Sequence, residues 1–425
     1  MSNIKNMDDT KEVKTSYTIP IGPIHPALKE PIRLDLSVDG EEIIDVDVVV
    51  GQVHRGMEWL GMNRNNPVQT IYLAERICGI CSVSHPFALV MAVEQAAGIE
   101  VPPRAEYIRV IIAEMERIHS HLLWAGVAAH EIGFDSVFYL VWKVREEIMD
   151  AMEYLAGNRN SKAMFQFGGV RRDITEEQFP RVRKSLDYYL SVFDQLGNIF
   201  LKDKTINMRT RNVGILKKED ALGLTIVGPT ARASGVSKDA RQGHAYSAYA
   251  DMDIKAITPD AVTGKVVGDV YDRIIVRLLE IKQSVEIIDK CLKEMPSGAI
   301  ISEPKIAKLL AVLKKAEGEG IGVHEAPRGE CFHYVRMEAG MDPLACWKVR
   351  APTYANLLAI PTMLKGGQIA DVPIAFASID PCMSCTNRAI TVKQPRKGIE
   401  CLLTGKDLHE LSLEKTRRLE AEFDR

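Results

Sequence analysis

The sequence predicts a mainly α protein with a small α+β part at its N-terminus: a core of long bundled helices with a β-hairpin sheet packed beside it. Three observations predict it. First, IRLDLSVDG and EEIIDVDVVVG alternate apolar and polar residues on either side of Asp39-Gly40, a favoured hairpin turn. Second, four long segments further on repeat apolar residues at the helical period, as bundled helices do. Third, 46% hydrophobic residues in a chain of 425 suffice to fill a large core, which excludes a disordered protein.

Taken in order, residues 1–18 are polar and of mixed charge, lack the apolar stretch of a secretory signal, and read as a flexible tail. The hairpin region covers residues 19–66. A helical bundle follows over 67–300, starting with a helix from Pro67 that arrives at Arg76-Ile77-Cys78. PRAEYIRVIIAEMERIHSHLLWAGVAAHEIG is a long apolar-striped helix with Pro103 near its start, where helices accept proline. FYLVWKVREEIMDAMEYLAGN is a second, ended by Gly157-Asn158. A third runs from about Glu176 to Phe200, and a fourth lies in YDRIIVRLLEIKQSVEIIDKCLKEM. Residues 301–425 make a C-terminal region in which ELSLEKTRRLEAEF reads as a structural, amphipathic helix, which speaks against removal of the C-terminus by proteolysis. Three glycine-rich stretches, FQFGGVRRD, VGPTARASGVSKDARQG and EGEGIGVHEAPRGE, read as connectors that bring backbone close to a ligand or partner.

Charge excludes some partners. With 54 basic and 57 acidic residues the net charge is -3, which gives no attraction to nucleic acid or anionic lipid. No stretch of 18 apolar residues occurs, so no segment is expected to span a membrane and a membrane role has to come through partners.

The chemistry lies in two cysteine pairs, Cys78/Cys81 in ERICGICSVSH and Cys382/Cys385 in SIDPCMSCTNR. CxxC spacing lets two sulfurs converge on one metal. A closed zinc ribbon would keep its pairs about 15–20 residues apart, whereas these are separated by most of the chain. Their flanks also carry ionisable groups a closed site does not need: Arg76 and His85 beside the first pair, Asp380 and Arg388 beside the second. Four thiolates joining distant parts of a helical core suit a soft metal such as nickel or iron. Cys291, Cys331, Cys346 and Cys401 read as ordinary thiols. His119 and His121, two apart on a helix, face different sides and read as core packing.

At these residues a family resemblance is plain. RxCGxC…H and DPCxxC resemble the two signature motifs of the [NiFe]-hydrogenase large subunit. RLDLSVDGEEIIDVDVVVGQVHRGME resembles that family's N-terminal hairpin, EAPRGE its arginine loop, and RAPTYAN its proline-threonine turn, so the resemblance runs from about Ile19 to Arg388. Arg388, where most members have histidine, and the opening IGPIHPALKEP are similar to the membrane-bound, energy-converting group related to respiratory complex I.

The resemblance implies a fold like that of the [NiFe]-hydrogenase large subunit and a set of roles. Cys78 and Cys382 are implied as terminal thiolates on nickel, Cys81 and Cys385 as bridges from nickel to an iron that carries cyanide and carbon monoxide. Arg328 is implied over the open face of the metals, with Asp380 as its anchor, while Thr353, just after Pro352, is implied to donate to a cyanide. Glu30 stands at the proton-relay position and His85 at one that hydrogen-bonds a bridging sulfur. Glu58 matches a ligand of a second ion, magnesium or iron, although Arg388 replaces a histidine ligand there.

The implied activity is reversible conversion of protons and electrons into H2. The chain has no further cysteine cluster for electron wiring, so the implied partners are a small subunit with [4Fe–4S] clusters and antiporter-like membrane subunits. The implied location is peripheral, on the cytoplasmic face of the membrane. A metal-free, quinone-binding relative shares the fold but lacks the cysteine pairs, and a sulfur-reducing relative has an altered site.

Overall fold

The computed structural model describes residues 16–386, 390–394, 399–403 and 405–423. Arg388 and most of the expected N-terminal tail lie outside the described residues. The N-terminal sheet has three antiparallel strands, β1 (Tyr17–Ile21), β2 (Arg33–Asp39) and β3 (Glu42–Val49), in the order β1-β2-β3. The expected hairpin is β2–β3, and β1 begins at Tyr17, inside the segment read as tail. Period-two alternation decides which face is buried: Leu34, Leu36 and Val38 point inward at 0% exposure. They pack on Ile360, Met363, Leu364 and Phe376 from the C-terminal region. The sheet therefore has its own apolar cluster beside the main core.

That main core is helical. The helices are α1 (Met57–Asn63), α2 (Pro67–Glu75), α3 (Ser84–Ala97), α4 (Pro103–Glu131), α5 (Asp135–Ala156) and α6 (Phe179–Lys202). A further long helix spans Val270–Glu294, and a helix is present at Gly405–Phe423 where the sequence predicts one, with Leu411, Leu413 and Leu419 exposed. No helix among the described residues is long and apolar enough to cross a membrane.

The stretch EGEGIGVHEA, expected as a connector, is instead a strand. Gly318–Ala326 opens a second antiparallel sheet completed by Gly329–Met337 and Cys346–Arg350. Its glycines serve helix contact. A Cβ on Gly320 would lie 1.8 Å from the Ala92 carbonyl oxygen of α3, and one on Gly322 equally close to that of Ala88. Absent side chains let strand and helix touch backbone to backbone. Gly322→Ala should therefore destabilise the chain by about 3 kcal/mol, seen as a lower urea midpoint with the slope unchanged.

Helix α4 is buried on nearly all sides, and its hydrophilic residues lie inside. Glu114 pairs with Arg117 at 3.1 Å and with Arg241 at 3.1 Å. Arg241 grips Asp239 at 2.7 Å, Arg232 holds Glu280 at 2.7 Å and Glu325 at 2.8 Å, and His121 meets Glu280 at 2.8 Å. The histidines of HxH are core residues, as their spacing suggested. Burial pushes the His121 imidazole down to about 4, against the pull of Glu280. Burial alone would raise the Glu114 carboxyl, but Arg117 and Arg241, with hydroxyl donors from Ser284 and Tyr249, hold it down at about 2. A depressed carboxyl stabilises the fold above its unfolded value near 4.5, and that contribution is lost as pH falls towards 2. Glu114→Gln should cost about 3–5 kcal/mol at pH 7. It should also flatten the loss of stability between pH 4.5 and 2, as measured by denaturant unfolding across that range.

Candidate metal centre

The two cysteine pairs lie outside the α-helices, with Cys385 closing a single 3-10 turn, Met383–Cys385. Cys78 and Cys81 occupy the turn between α2 and α3, and Cys382 and Cys385 follow helix Val372–Ser378. In the first turn the Cys81 N–H donates to the Cys78 sulfur at 3.2 Å. Across the molecule Cys382 Sγ lies 3.2 Å from Cys78 Sγ and 3.0 Å from Cys385 Sγ. All four are at most 3% exposed. The sulfurs of Cys78, Cys382 and Cys385 lie within 4.8 Å of one another.

These distances fit a shared cation. They are longer than the roughly 2.05 Å of a disulfide. Metal–sulfur bonds of about 2.3 Å place neighbouring thiolates about 3.3–3.8 Å apart around one ion, close to what is seen. Thiols of Cys382, Cys385 and Cys81 donate to Cys78 and pull it well below the ordinary thiol range, while burial and its charged neighbours push Cys385 up. One thiolate therefore discourages the next, and a soft cation relieves that repulsion.

Other segments hold the turns. Arg328 sits at the tip joining strands Gly318–Ala326 and Gly329–Met337, 2% exposed. Its Nε donates to the Asp380 carbonyl at 2.8 Å and its Nη2 to Asp380 Oδ1 at 3.0 Å. Its Nη1 reaches Cys81 Sγ at 3.1 Å and Ser120 Oγ at 3.3 Å. Asp380 adopts a left-handed backbone, φ 53°, which turns that carbonyl to the guanidinium. Thr353 Oγ1 accepts the Cys382 N–H at 3.2 Å, so its own hydroxyl proton is left to donate; Pro352 opens the short helix that carries it. Glu30 Oε2 accepts the Met383 N–H and, at 3.2 Å, the Ser384 N–H. Burial, then the neighbouring Cys78, raises the Glu30 carboxyl. His85 Nε2 lies 3.4 Å from Cys385 Sγ.

The structure thus brings Glu30, His85, Arg328, Pro352, Thr353 and Asp380 around the four cysteines. Glu58 stands apart: its Oε1 accepts the Val349 N–H at 2.8 Å and Lys348 lies 3.7 Å from its Oε2. Among the described residues no group of three potential ligands includes it.

Two residues escaped the sequence. Arg55 donates to the carbonyls of Arg76 at 2.8 Å, Ile77 at 2.6 Å and Ser384 at 3.1 Å, stapling one cysteine turn to the other. Its neighbour Glu58 drew attention in HRGME, but nothing local marks an arginine whose targets are backbone carbonyls. Glu116, from the middle of α4, accepts the N–H groups of Val83 at 2.6 Å and Ser84 at 2.9 Å, capping α3 where the first turn ends. Burial pushes its carboxyl up to about 7, against Lys162 and those donors.

Comparison with known proteins places this geometry. Residues 131–388 match the family model described as respiratory-chain NADH dehydrogenase, 49 Kd subunit, and residues 55–125 that of nickel-dependent hydrogenase. The chain is 49% identical over 411 residues to membrane-bound hydrogenase subunit alpha of Pyrococcus furiosus, covering 96% of this chain and 95% of that one. It is 36% identical to an NADH-quinone oxidoreductase subunit of Dehalococcoides mccartyi, over 88% of this chain and all of that one. A solved structure of the membrane-bound sulfane sulfur reductase, an archaeal respiratory membrane complex, superposes with TM-score 0.81 at 28% identity, over 88% of this chain and 98% of that one. Fold and site together define an oxidoreductase subunit related to those of membrane-bound respiratory complexes. The chain belongs to the family of [NiFe]-hydrogenase large subunits, in the membrane-bound branch related to the 49 kDa subunit of complex I.

Arg55→Ala should lower stability by about 1–3 kcal/mol. It should also reduce the metal retained after gel filtration, read by elemental analysis against the wild-type protein.

Proposed function

We propose that the chain is the catalytic subunit of a membrane-bound [NiFe]-hydrogenase, interconverting H2 with protons and electrons. Convergence of four buried cysteines from opposite ends of the chain carries this reading, with the Cys382 sulfur 3.2 Å from that of Cys78 and 3.0 Å from that of Cys385. Cys78 and Cys382 would be terminal ligands of nickel, and Cys81 and Cys385 would bridge nickel and iron. A nickel–iron centre with cyanide and carbon monoxide on iron would supply the site of H2 cleavage and formation. The protein supplies the surroundings. Arg328 presents a fixed guanidinium beside Cys81, held by Asp380, where lysine would lack the planar fork. Thr353 and Arg328 are the donors available to cyanide. Glu30 is the proton carrier: Oε2 is engaged by Met383 and Ser384, so Oε1 is the atom that takes and releases the proton. Its raised carboxyl brings the neutral acid nearer to working pH.

Electrons leave through a small subunit with [4Fe–4S] clusters, and antiporter-like membrane subunits couple turnover to ion movement. The chain would sit peripherally on the cytoplasmic face, held by those partners. The sulfur-reducing reading draws on the structural likeness at 28% identity, below the 49% shared with the hydrogenase subunit. The quinone-binding reading is opposed by the four cysteines themselves.

Elemental analysis and infrared spectroscopy of the purified complex decide the matter. Nickel, iron and bands of cyanide and carbon monoxide are expected, and their absence removes the hydrogenase reading. Cys385→Ser should abolish H2 turnover. Glu30→Gln should keep the metals but lose about a hundredfold or more in rate, and unchanged turnover would exclude Glu30 as the carrier.

A further inference from the structure

Behind Cys385 lies a second cluster, His85, Cys331 and His333, whose ligand atoms fall within 4.8 Å of one another. All three are buried, at 1% exposure or less. His85 Nδ1 lies 3.2 Å from His333 Nε2 and 3.5 Å from Cys331 Sγ, while His85 Nε2 faces Cys385 Sγ at 3.4 Å. On residue types alone this is a candidate metal site. The indole of Trp347 decides otherwise.

Trp347 Nε1 donates to His333 Nδ1 at 3.2 Å. An indole N–H can only donate, so His333 Nδ1 is an acceptor. A neutral imidazole with an accepting Nδ1 carries its proton on Nε2. That proton points at His85, so His85 Nδ1 accepts and the proton of His85 sits on Nε2, facing the Cys385 sulfur. His333 Nε2, already protonated, offers no lone pair to a metal. The indole is itself held in place: it is fully buried, and α1 makes room for it with Gly61, whose Cβ would come within 2.4 Å of the ring.

We infer that Trp347 and His333 are positioning residues: in series they fix the tautomer of His85, so that it donates an N–H to the sulfur of Cys385. An N–H on a ligating sulfur draws charge from it and favours the more electron-rich state of the metal. Donor and sulfur would thus tune the centre's potential through Cys385, whereas Arg328 acts on Cys81. The consequence at the metal rests on the proposed nickel–iron reading; the tautomers do not.

Two readouts test this on the purified complex. Nitrogen-15 spectra of histidine-labelled protein, assigned with His333→Gln and His85→Asn, should show both histidines protonated on Nε2, and this needs no metal. Trp347→Phe should release His333 into a mixture of tautomers. With nickel content unchanged, Trp347→Phe and His333→Leu should shift the midpoint potential of the centre to more negative values and lower turnover about tenfold. His333→Gln, whose amide can still donate to His85 Nδ1, should restore most of the wild-type potential. A proton on Nδ1 of either histidine in the wild type, a metal bound at Cys331, or potentials unmoved in both Trp347→Phe and His333→Leu would overturn the inference. A wild-type complex without nickel would instead overturn the hydrogenase reading, and the tautomers would still be read.

Discussion

The guanidinium of Arg328 is the constraint on which the rest of the site hangs. Its donors reach the carbonyl and carboxylate of Asp380, the sulfur of Cys81 and the hydroxyl of Ser120. One side chain thereby ties a strand tip, the approach to the second cysteine turn, the first cysteine turn and α4. A buried cation of this kind is tolerated only among anions, and thiolates and a carboxylate provide them. The same cation also makes it feasible to bury so many sulfurs. Neither group would be stable inside without the other.

Arg328 holds its position because the strand before it is anchored. Arg117 donates to the carbonyls of Glu325 and, at 3.2 Å, Ala326, and Arg232 pairs with the Glu325 carboxylate. These arginines belong to the buried ionic array around Glu114, Asp239 and Glu280, which joins α4, the long helix Val270–Glu294 and the second sheet. Such pairs add little net stability relative to apolar packing, because desolvation offsets their attraction. They differ from apolar contacts in direction. A leucine slides against its neighbours with small loss, whereas a bidentate arginine accepts one arrangement. The array therefore fixes the register of the strand Gly318–Ala326 that leads into Arg328, and a preorganised site depends on such support.

What the sequence made legible follows from how local each signal is. The β2–β3 hairpin and the helices α2 to α6 are written in periodicity and turn residues within short windows. The cysteine pairs are written in spacing, and Glu30, His85, Arg328, Thr353 and Asp380 in motifs around them. The strand Gly318–Ala326 was hidden because its glycines look like flexibility, and their reason, the backbone of α3, lies more than two hundred positions away. Arg55 and Glu116 were hidden similarly, since both act on backbone groups of a distant turn. Cys331 read as an ordinary thiol and is a free one; what the sequence did not show is that the fold sets it against His85. Residues whose partners are remote in sequence and generic in chemistry leave no mark in a single sequence.

The same observation explains how one framework can serve different chemistries. Most groups that shape the two turns grip backbone atoms rather than sulfur: Arg55 on three carbonyls, Glu116 on two N–H groups, Glu30 on two more, Thr353 on the Cys382 N–H, and Arg328 on the Asp380 carbonyl. Such a cage keeps its shape if the side chains at the cysteine positions change. Two side chains of the surround reach sulfur itself, Arg328 at Cys81 and His85 at Cys385. The chain retains both, together with all four cysteines. These are the physical observations that support the proposed metal-thiolate reading.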